Sequence, residues 1–287
     1  MAVVEYKVPQ SVGEAIEMLT DKTARVLAGG TDLIIQTRPQ NSDPVIAVDI
    51  KKIDSMMTAT MDGDGLTLGP SMSCAALTAR EDIKAEFPGL VESAYLIGST
   101  QVQGRCSVGG NLCNSSPAAD TIPALIAIAA QCVIQGPDGG RTVAVEDFVT
   151  GVGTNCMATG ELLTAIKIAK PTARTADAYL RFIPRTEMDI AVAGAGVSVT
   201  LDADGKCTAA RVCIGAVATT ALLVAAAADA LIGTSIDDAA LQAAADAASE
   251  ASKPISDRRG TAEFRRHVVG VLTRRAAKIA ADRAKEK

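Results

Sequence analysis

The sequence predicts an α+β fold: two N-terminal α/β subdomains, about 1–55 and 56–175, then a C-terminal α+β domain, 176–287, with a small antiparallel sheet and helices. Three observations carry this reading. Strand-like and helix-like runs alternate through the first 175 residues. Two Gly-Gly segments, Gly29-Gly30 and Gly109-Gly110, each follow an apolar stretch and lead into a polar turn or a helix start. From about residue 176 the texture changes to a long Ala, Val and Gly run, a turn and three helical stretches.

Val3-Val4-Glu5-Tyr6-Lys7-Val8 reads as a strand. Ser11-Val12-Gly13-Glu14 is a capping box opening a helix through Leu19. Arg25-Val26-Leu27-Ala28 is a strand running into the first Gly-Gly loop, and Thr31 is placed to cap a short helix at Leu33-Ile34-Ile35. Val45 to Ile50 is another strand. In the second unit, Leu66-Thr67-Leu68-Gly69 leads to helices from about Ser73 and over 89–97. The second Gly-Gly loop follows, then an apolar helix over 124–130 and a strand over 132–135 ending in Gly136-Pro137-Asp138-Gly139-Gly140. A strand over 162–168 closes at Pro171. In the C-terminal domain, Asp202-Ala203-Asp204-Gly205 joins the run 190–201 to a strand over 210–217 as a hairpin. Helices follow over 220–232, 237–251 and 260–285.

Composition narrows the function. At 48% hydrophobic, the 287 residues can bury a sizeable core. Aromatics make up only 2%, with no Trp, which argues against a carbohydrate site or a single-strand stacking platform. A net charge of −5 argues against general nucleic-acid binding. The seven cysteines are odd in number and form no C-x-x-C, so they read as small buried thiols of a reducing compartment, with no metal site. With no signal pattern and no apolar run of spanning length, the expected location is cytoplasmic, without a membrane span.

The motifs point to a nucleotide. Glycine lets backbone N–H groups approach an anion closely, and two such loops suit the two phosphates of a dinucleotide. Thr31, Ser107 and Asn111 add side-chain donors, and helix N-termini add a favourable dipole. Taken alone, Asp120 reads as a helix N-cap ahead of Pro123. Gly194-Ala195-Gly196 lacks the third glycine of a Rossmann turn and continues as strand. His267, the single histidine, reads as a surface residue, so hydrolytic triads and histidine-bound zinc lack their parts. Arg265, Arg266, Arg274, Arg275, Lys278, Arg283 and Lys285 read as a solvated basic helix face, with a docking surface for an acidic partner as the second reading.

Five segments in order then show a family resemblance: Ala28-Gly29-Gly30-Thr31-Asp32, Ser107-Val108-Gly109-Gly110-Asn111, Ser116-Pro117-Ala118-Ala119-Asp120, Arg185-Thr186-Glu187-Met188-Asp189-Ile190-Ala191, and Asp257 to Arg266. The chain resembles the FAD-binding medium subunit of molybdenum hydroxylases, of the carbon monoxide dehydrogenase and xanthine dehydrogenase type. The resemblance implies a vanillyl-alcohol-oxidase-like (PCMH-type) FAD-binding domain over 1–175 and a CO dehydrogenase flavoprotein C-terminal-like domain over 176–287. It implies that Val26, Leu27, Ala28, Gly29, Gly30, Thr31, Asp32 and Leu33, with Ser107, Val108, Gly109, Gly110 and Asn111, hold the FAD pyrophosphate. Asp120 would contact the cofactor's polar chain, Leu163 and Ile97 would pack near the flavin ring, and Arg181 falls where some relatives have a lysine near it. Gln103-Gly104-Arg105-Cys106 departs from the Arg-Asn-containing form common in the family, and the four-cysteine insertion of one branch is absent.

The resulting expectation is an electron-transfer subunit with no catalytic acid or base of its own. Electrons would come from [2Fe-2S] clusters on a small subunit, fed by the molybdenum cofactor of a large one, in a dimer of heterotrimers. FAD would pass them to NAD, a quinone or oxygen. The alternatives are a stand-alone FAD oxidoreductase of the same fold and an interaction subunit without cofactor.

Overall fold

The computed structural model describes residues 4–38 and 44–287. The first unit is a three-stranded parallel sheet of Val4–Lys7, Val45–Asp49 and Ala24–Leu27, in that spatial order. Parallel strands need crossovers, and the helix Val12–Leu19 supplies the one from Val4–Lys7 to Ala24–Leu27, which lie on either side of Val45–Asp49. Ser11 Oγ accepts the Glu14 amide at 3.2 Å, while the Glu14 carboxylate takes the Gln10 amide at 2.7 Å. Ala15 and Leu19 of that helix bury against Val48, Ile50 and Met56. Val3, expected to begin the first strand, lies outside the described residues.

The second unit is a five-stranded antiparallel sheet in the order Ala59–Met61, Gly65–Leu68, Leu162–Ala169, Gln131–Gly136, Gly139–Ala144. Leu77, Leu90, Leu112 and Leu125, each from a different helix, share one core with Leu66, Ile134 and Ile166 of the sheet. The third unit is a four-stranded antiparallel meander, Thr175–Phe182, Ala193–Leu201, Cys207–Gly215 and Leu222–Leu223. The 25-residue helix Ala262–Glu286 lies against it through Ala276, Ala277, Ala280, Ala281 and Ala284, all buried. Alanine lets helix and sheet approach closely, which is how a core almost without aromatics reaches full packing.

Several expected details change. Asp32, not Thr31, stands at the N-cap position of the helix Leu33–Gln36, and its side chain makes no capping bond. Gly109 and Gly110 lie inside the helix Val108–Cys113, capped by Ser107, so the second segment is a helix start and not a loop. The stretch 220–232 is not one helix, because Leu222–Leu223 pairs with the meander before the helix Ala225–Asp229. The basic helix face is not wholly solvated. Arg265 is buried, donating to the Val192 carbonyl at 2.9 Å and to Asp257 at 2.7 Å, and Arg283 binds Glu92 and the Asp177 carbonyl. His267 is exposed. All seven cysteines are free, five of them buried. Among the described residues no helix is long and apolar enough to cross a membrane, and no acidic, His or Cys cluster is placed to hold a metal ion.

Candidate functional site

A cavity of about 590 Å³ opens where the first unit meets the second. That volume lies within the range of small-molecule and cofactor sites. One wall is the loop leaving strand Ala24–Leu27, at the carboxyl end of the parallel sheet, where α/β sheets bind their ligands. Gly30 turns that loop with φ of 76°, a conformation open to glycine at little cost. The amides of Gly29, Gly30, Thr31 and Asp32 donate to no acceptor among the described residues. N–H groups in series, left unpaired beside a cavity, are an anion cradle.

The loop is pinned from behind. Lys51 Nζ donates to the Ala28 carbonyl at 2.7 Å and to Asp49 Oδ1 at 2.7 Å. Asp49 also accepts the Lys51 amide and the Tyr6 hydroxyl. Burial alone would raise the Asp49 carboxyl, but the bonds from Lys51 and Tyr6 outweigh it and hold the group below its ordinary value. The same bond to Asp49 pushes the Tyr6 phenol up.

The opposite wall is the first turn of the helix Val108–Cys113 with Pro70 and Ser71. Ser107 Oγ accepts the Gly110 amide at 3.1 Å, and the Pro70 carbonyl takes the Gly109 amide at 3.1 Å. Asn111 Oδ1 accepts the Thr121 hydroxyl at 2.6 Å, tying this helix to the next. Of a third wall, 153–163, only Leu163 was expected from the sequence. There Asn155 Nδ2 donates to the Cys113 carbonyl at 3.1 Å, and Glu161 takes both Arg141 (2.8 Å) and the Ala158 amide (2.7 Å). Arg141 holds the Glu161 carboxyl below its usual range. The signal that was available is a short run of small and polar residues between Gly153 and Gly160, directly before a strand.

The lining is nearly balanced in charge, with Lys22 and Arg25 against Asp21, Asp32 and Glu161. The Arg25 guanidinium is already committed to the carbonyls of Lys22 and Ala24, each at 2.7 Å. Val26, Ala28, Gly29, Gly30, Thr31, Asp32, Leu33, Ile97, Ser107, Gly109, Gly110, Asn111 and Leu163 of the sequence-predicted set all line this one cavity. Leu27, Val108, Asp120 and Arg181 do not. Val108 is buried in the second core. Asp120 binds the Tyr179 hydroxyl at 2.9 Å and Arg181 at 2.7 Å, joining the helix Thr121–Ala127 to the C-terminal sheet. Burial raises the Asp120 carboxyl, opposed by Arg181 and Tyr179. The donor set fits a dinucleotide: unpaired backbone amides for the phosphates, and Val26, Ile97 and Leu163 for apolar surface.

The chain's relatives share its domains and its fold. Residues 2–171 match the family profile of the FAD binding domain in molybdopterin dehydrogenase, and 178–280 match the CO dehydrogenase flavoprotein C-terminal domain. The chain is 34% identical over 284 residues to the carbon monoxide dehydrogenase medium chain of Afipia carboxidovorans, covering 98% of each. It is 31% identical to the corresponding chain of Hydrogenophaga pseudoflava, covering 96% of each. Its fold superposes on a chain of the cyanide-inactivated Cu,Mo-CO dehydrogenase with a TM-score of 0.93, 32% identity and 99% coverage of both. The chain therefore belongs to the FAD-binding medium subunits of the molybdenum hydroxylases, a family of oxidoreductase components.

Proposed function

We propose that this chain carries FAD in the 590 Å³ cavity and relays electrons between iron–sulfur clusters and an external acceptor, within a complex that includes a small iron–sulfur and a large molybdenum subunit. The observation that supports the reading best is the run of unpaired amides at Gly29, Gly30, Thr31 and Asp32, facing Ser107, Gly109, Gly110 and Asn111 across one cavity. When bound, FAD supplies the electron exchange through its isoalloxazine ring. The first glycine segment holds the pyrophosphate by its backbone N–H groups, charge-assisted bonds that are stronger than neutral ones, and the second, whose Gly109 and Gly110 amides are already paired, forms the facing wall. Ile97 and Leu163 exclude water from the ring system. Leu27 and Val108 shape the site from behind. Asp120 and Arg181 serve it indirectly, by fixing the C-terminal sheet against the second unit. No side chain of the cavity is assigned an acid or base role.

The test is the visible spectrum of the purified chain, with the released cofactor identified by mass. FAD near one per chain, and co-purification with iron- and molybdenum-bearing partners, is the expected outcome. A colourless protein that stays colourless with added FAD overturns the reading.

A further inference from the structure

Lys51 has no place in the cavity lining, yet it touches the most important peptide of the site. The Ala28–Gly29 peptide is trans, as are all the others described. In a trans peptide the C=O and the next N–H point in opposite directions. The Ala28 carbonyl is held by Lys51 Nζ at 2.7 Å, on the side of Asp49 and Tyr6. The Gly29 N–H is therefore turned the other way, and it finds no acceptor among the described residues. If the peptide flipped, the cavity would receive a carbonyl oxygen where it now receives a donor, and that oxygen would repel an anion.

We infer that Lys51 is a positioning residue: its bond to the Ala28 carbonyl fixes the orientation of the Ala28–Gly29 peptide so that the Gly29 N–H faces a ligand phosphate. The inference rests on the FAD reading above. Asp49 completes the device, because it fixes the ammonium through Oδ1 while its second oxygen is occupied by Tyr6. The fixed charge lies behind the loop, so a lysine that never meets the ligand still sets the sign of the field that the ligand meets. The half-buried Lys51 side chain, at 24% exposure, supports this placement.

The experiment compares the full chain with Lys51→Met and Lys51→Arg, measuring binding of FAD and of riboflavin by quenching of flavin fluorescence, with thermal melts of the apo forms. The double variant Lys51→Met/Asp49→Asn leaves no unpaired carboxylate and serves if the single variant folds poorly. Lys51→Met is expected to weaken FAD binding about 10- to 100-fold, the range of one charge-assisted bond. Riboflavin, which has no phosphate, should bind as to the parent, and Lys51→Arg should restore most of the FAD affinity. Equal FAD affinity in parent and variant overturns the inference while leaving the FAD reading intact. Equal weakening of FAD and riboflavin also overturns it, because that marks general damage to the site. A parent chain that binds neither flavin overturns the FAD reading and the inference with it.

Discussion

Replacing Asp177 by asparagine should stabilise the protein, and by more at pH 8 than at pH 5. Asp177 lies on the first strand of the C-terminal sheet, only 3% exposed, and neither carboxylate oxygen has a hydrogen-bond partner. Burial, with help from the nearby Glu92 carboxylate, pushes its carboxyl up to about 7 against the pull of Lys287 and Arg283. In an unfolded chain the same group titrates near 3.9, roughly. A carboxyl raised on folding carries no penalty below the unfolded value, where both states are protonated. The penalty grows as pH rises from about 4 and is complete above about 7. At about 1.4 kcal/mol per pH unit it reaches roughly 1–2 kcal/mol at pH 5 and about 4 kcal/mol at pH 8. An asparagine carries no such dependence, so its advantage over the parent should widen by roughly 2–3 kcal/mol between the two pH values. At about 2 °C per kcal/mol for a chain of this size, that is a relative shift in Tm of about 5 °C. Thermal unfolding followed by circular dichroism at both pH values reads it directly. A parent-to-variant gap that is the same at pH 5 and pH 8 would refute the reasoning.

Three further outcomes are expected. In Gly89→Ala the added Cβ would lie 2.6 Å from Asp177 Oδ2 and 2.9 Å from the Ala178 backbone, so the midpoint in urea should fall by an overpacking cost of about 1–3 kcal/mol; an unchanged midpoint counts against that contact. Asp120→Ala leaves Arg181, 5% exposed, as an uncompensated buried charge, and chemical denaturation should show a loss of about 3–5 kcal/mol. Gly110→Val puts a branched side chain against Ser107 Oγ, 3.0 Å from the new Cβ, on the cavity wall. Its FAD content per chain should drop well below the parent's, and equal content would remove Gly110 from the site.

Much of the fold was legible because its signals are local. The Ser11 cap, the apolar run before Gly29 and the Asp202–Gly205 turn each act within a few residues, and the observed elements begin and end close to them. What was missed depends on pairing across the chain. Ala59–Met61 is three residues long and exists as strand because Gly65–Leu68 lies beside it. Gly139–Ala144 is a largely exposed edge whose composition resembles a loop. Thr175–Phe182 mixes Ala, Asp and Arg, and its register comes from the neighbouring strand Ala193–Leu201. The inward turn of Arg265 follows from Asp257 and the Val192 carbonyl, which lie in other elements. For the cavity, the glycine segments and Leu163 lie on its walls, whereas the rest of the stretch 153–162 carries no distinctive residue type.

The glycines themselves bear two meanings at once. The sequence argument makes each a point of close approach to a ligand. The structure makes two of them points of close approach within the protein itself, Gly29 between the first unit and the second, Gly109 inside the second. A Cβ on Gly29 would collide with the Arg105 carbonyl, and one on Gly109 would sit 2.5 Å from the Pro70 carbonyl and 2.7 Å from its Cα. Gly29 thus seats the first loop on the segment 105–106, immediately before the second glycine pair, and Gly109 seats the helix Val108–Cys113 on Pro70. Gly110 meets only Ser107 Oγ at 3.0 Å and Ala28 at 4.0 Å, so it is the member whose missing side chain leaves room on the cavity side. The paired motif therefore reports packing inside the protein as well as the cavity that the two segments line. This explains why two short segments, about eighty residues apart, mark most of the cavity residues that the sequence reveals, with Ile97 and Leu163 outside them.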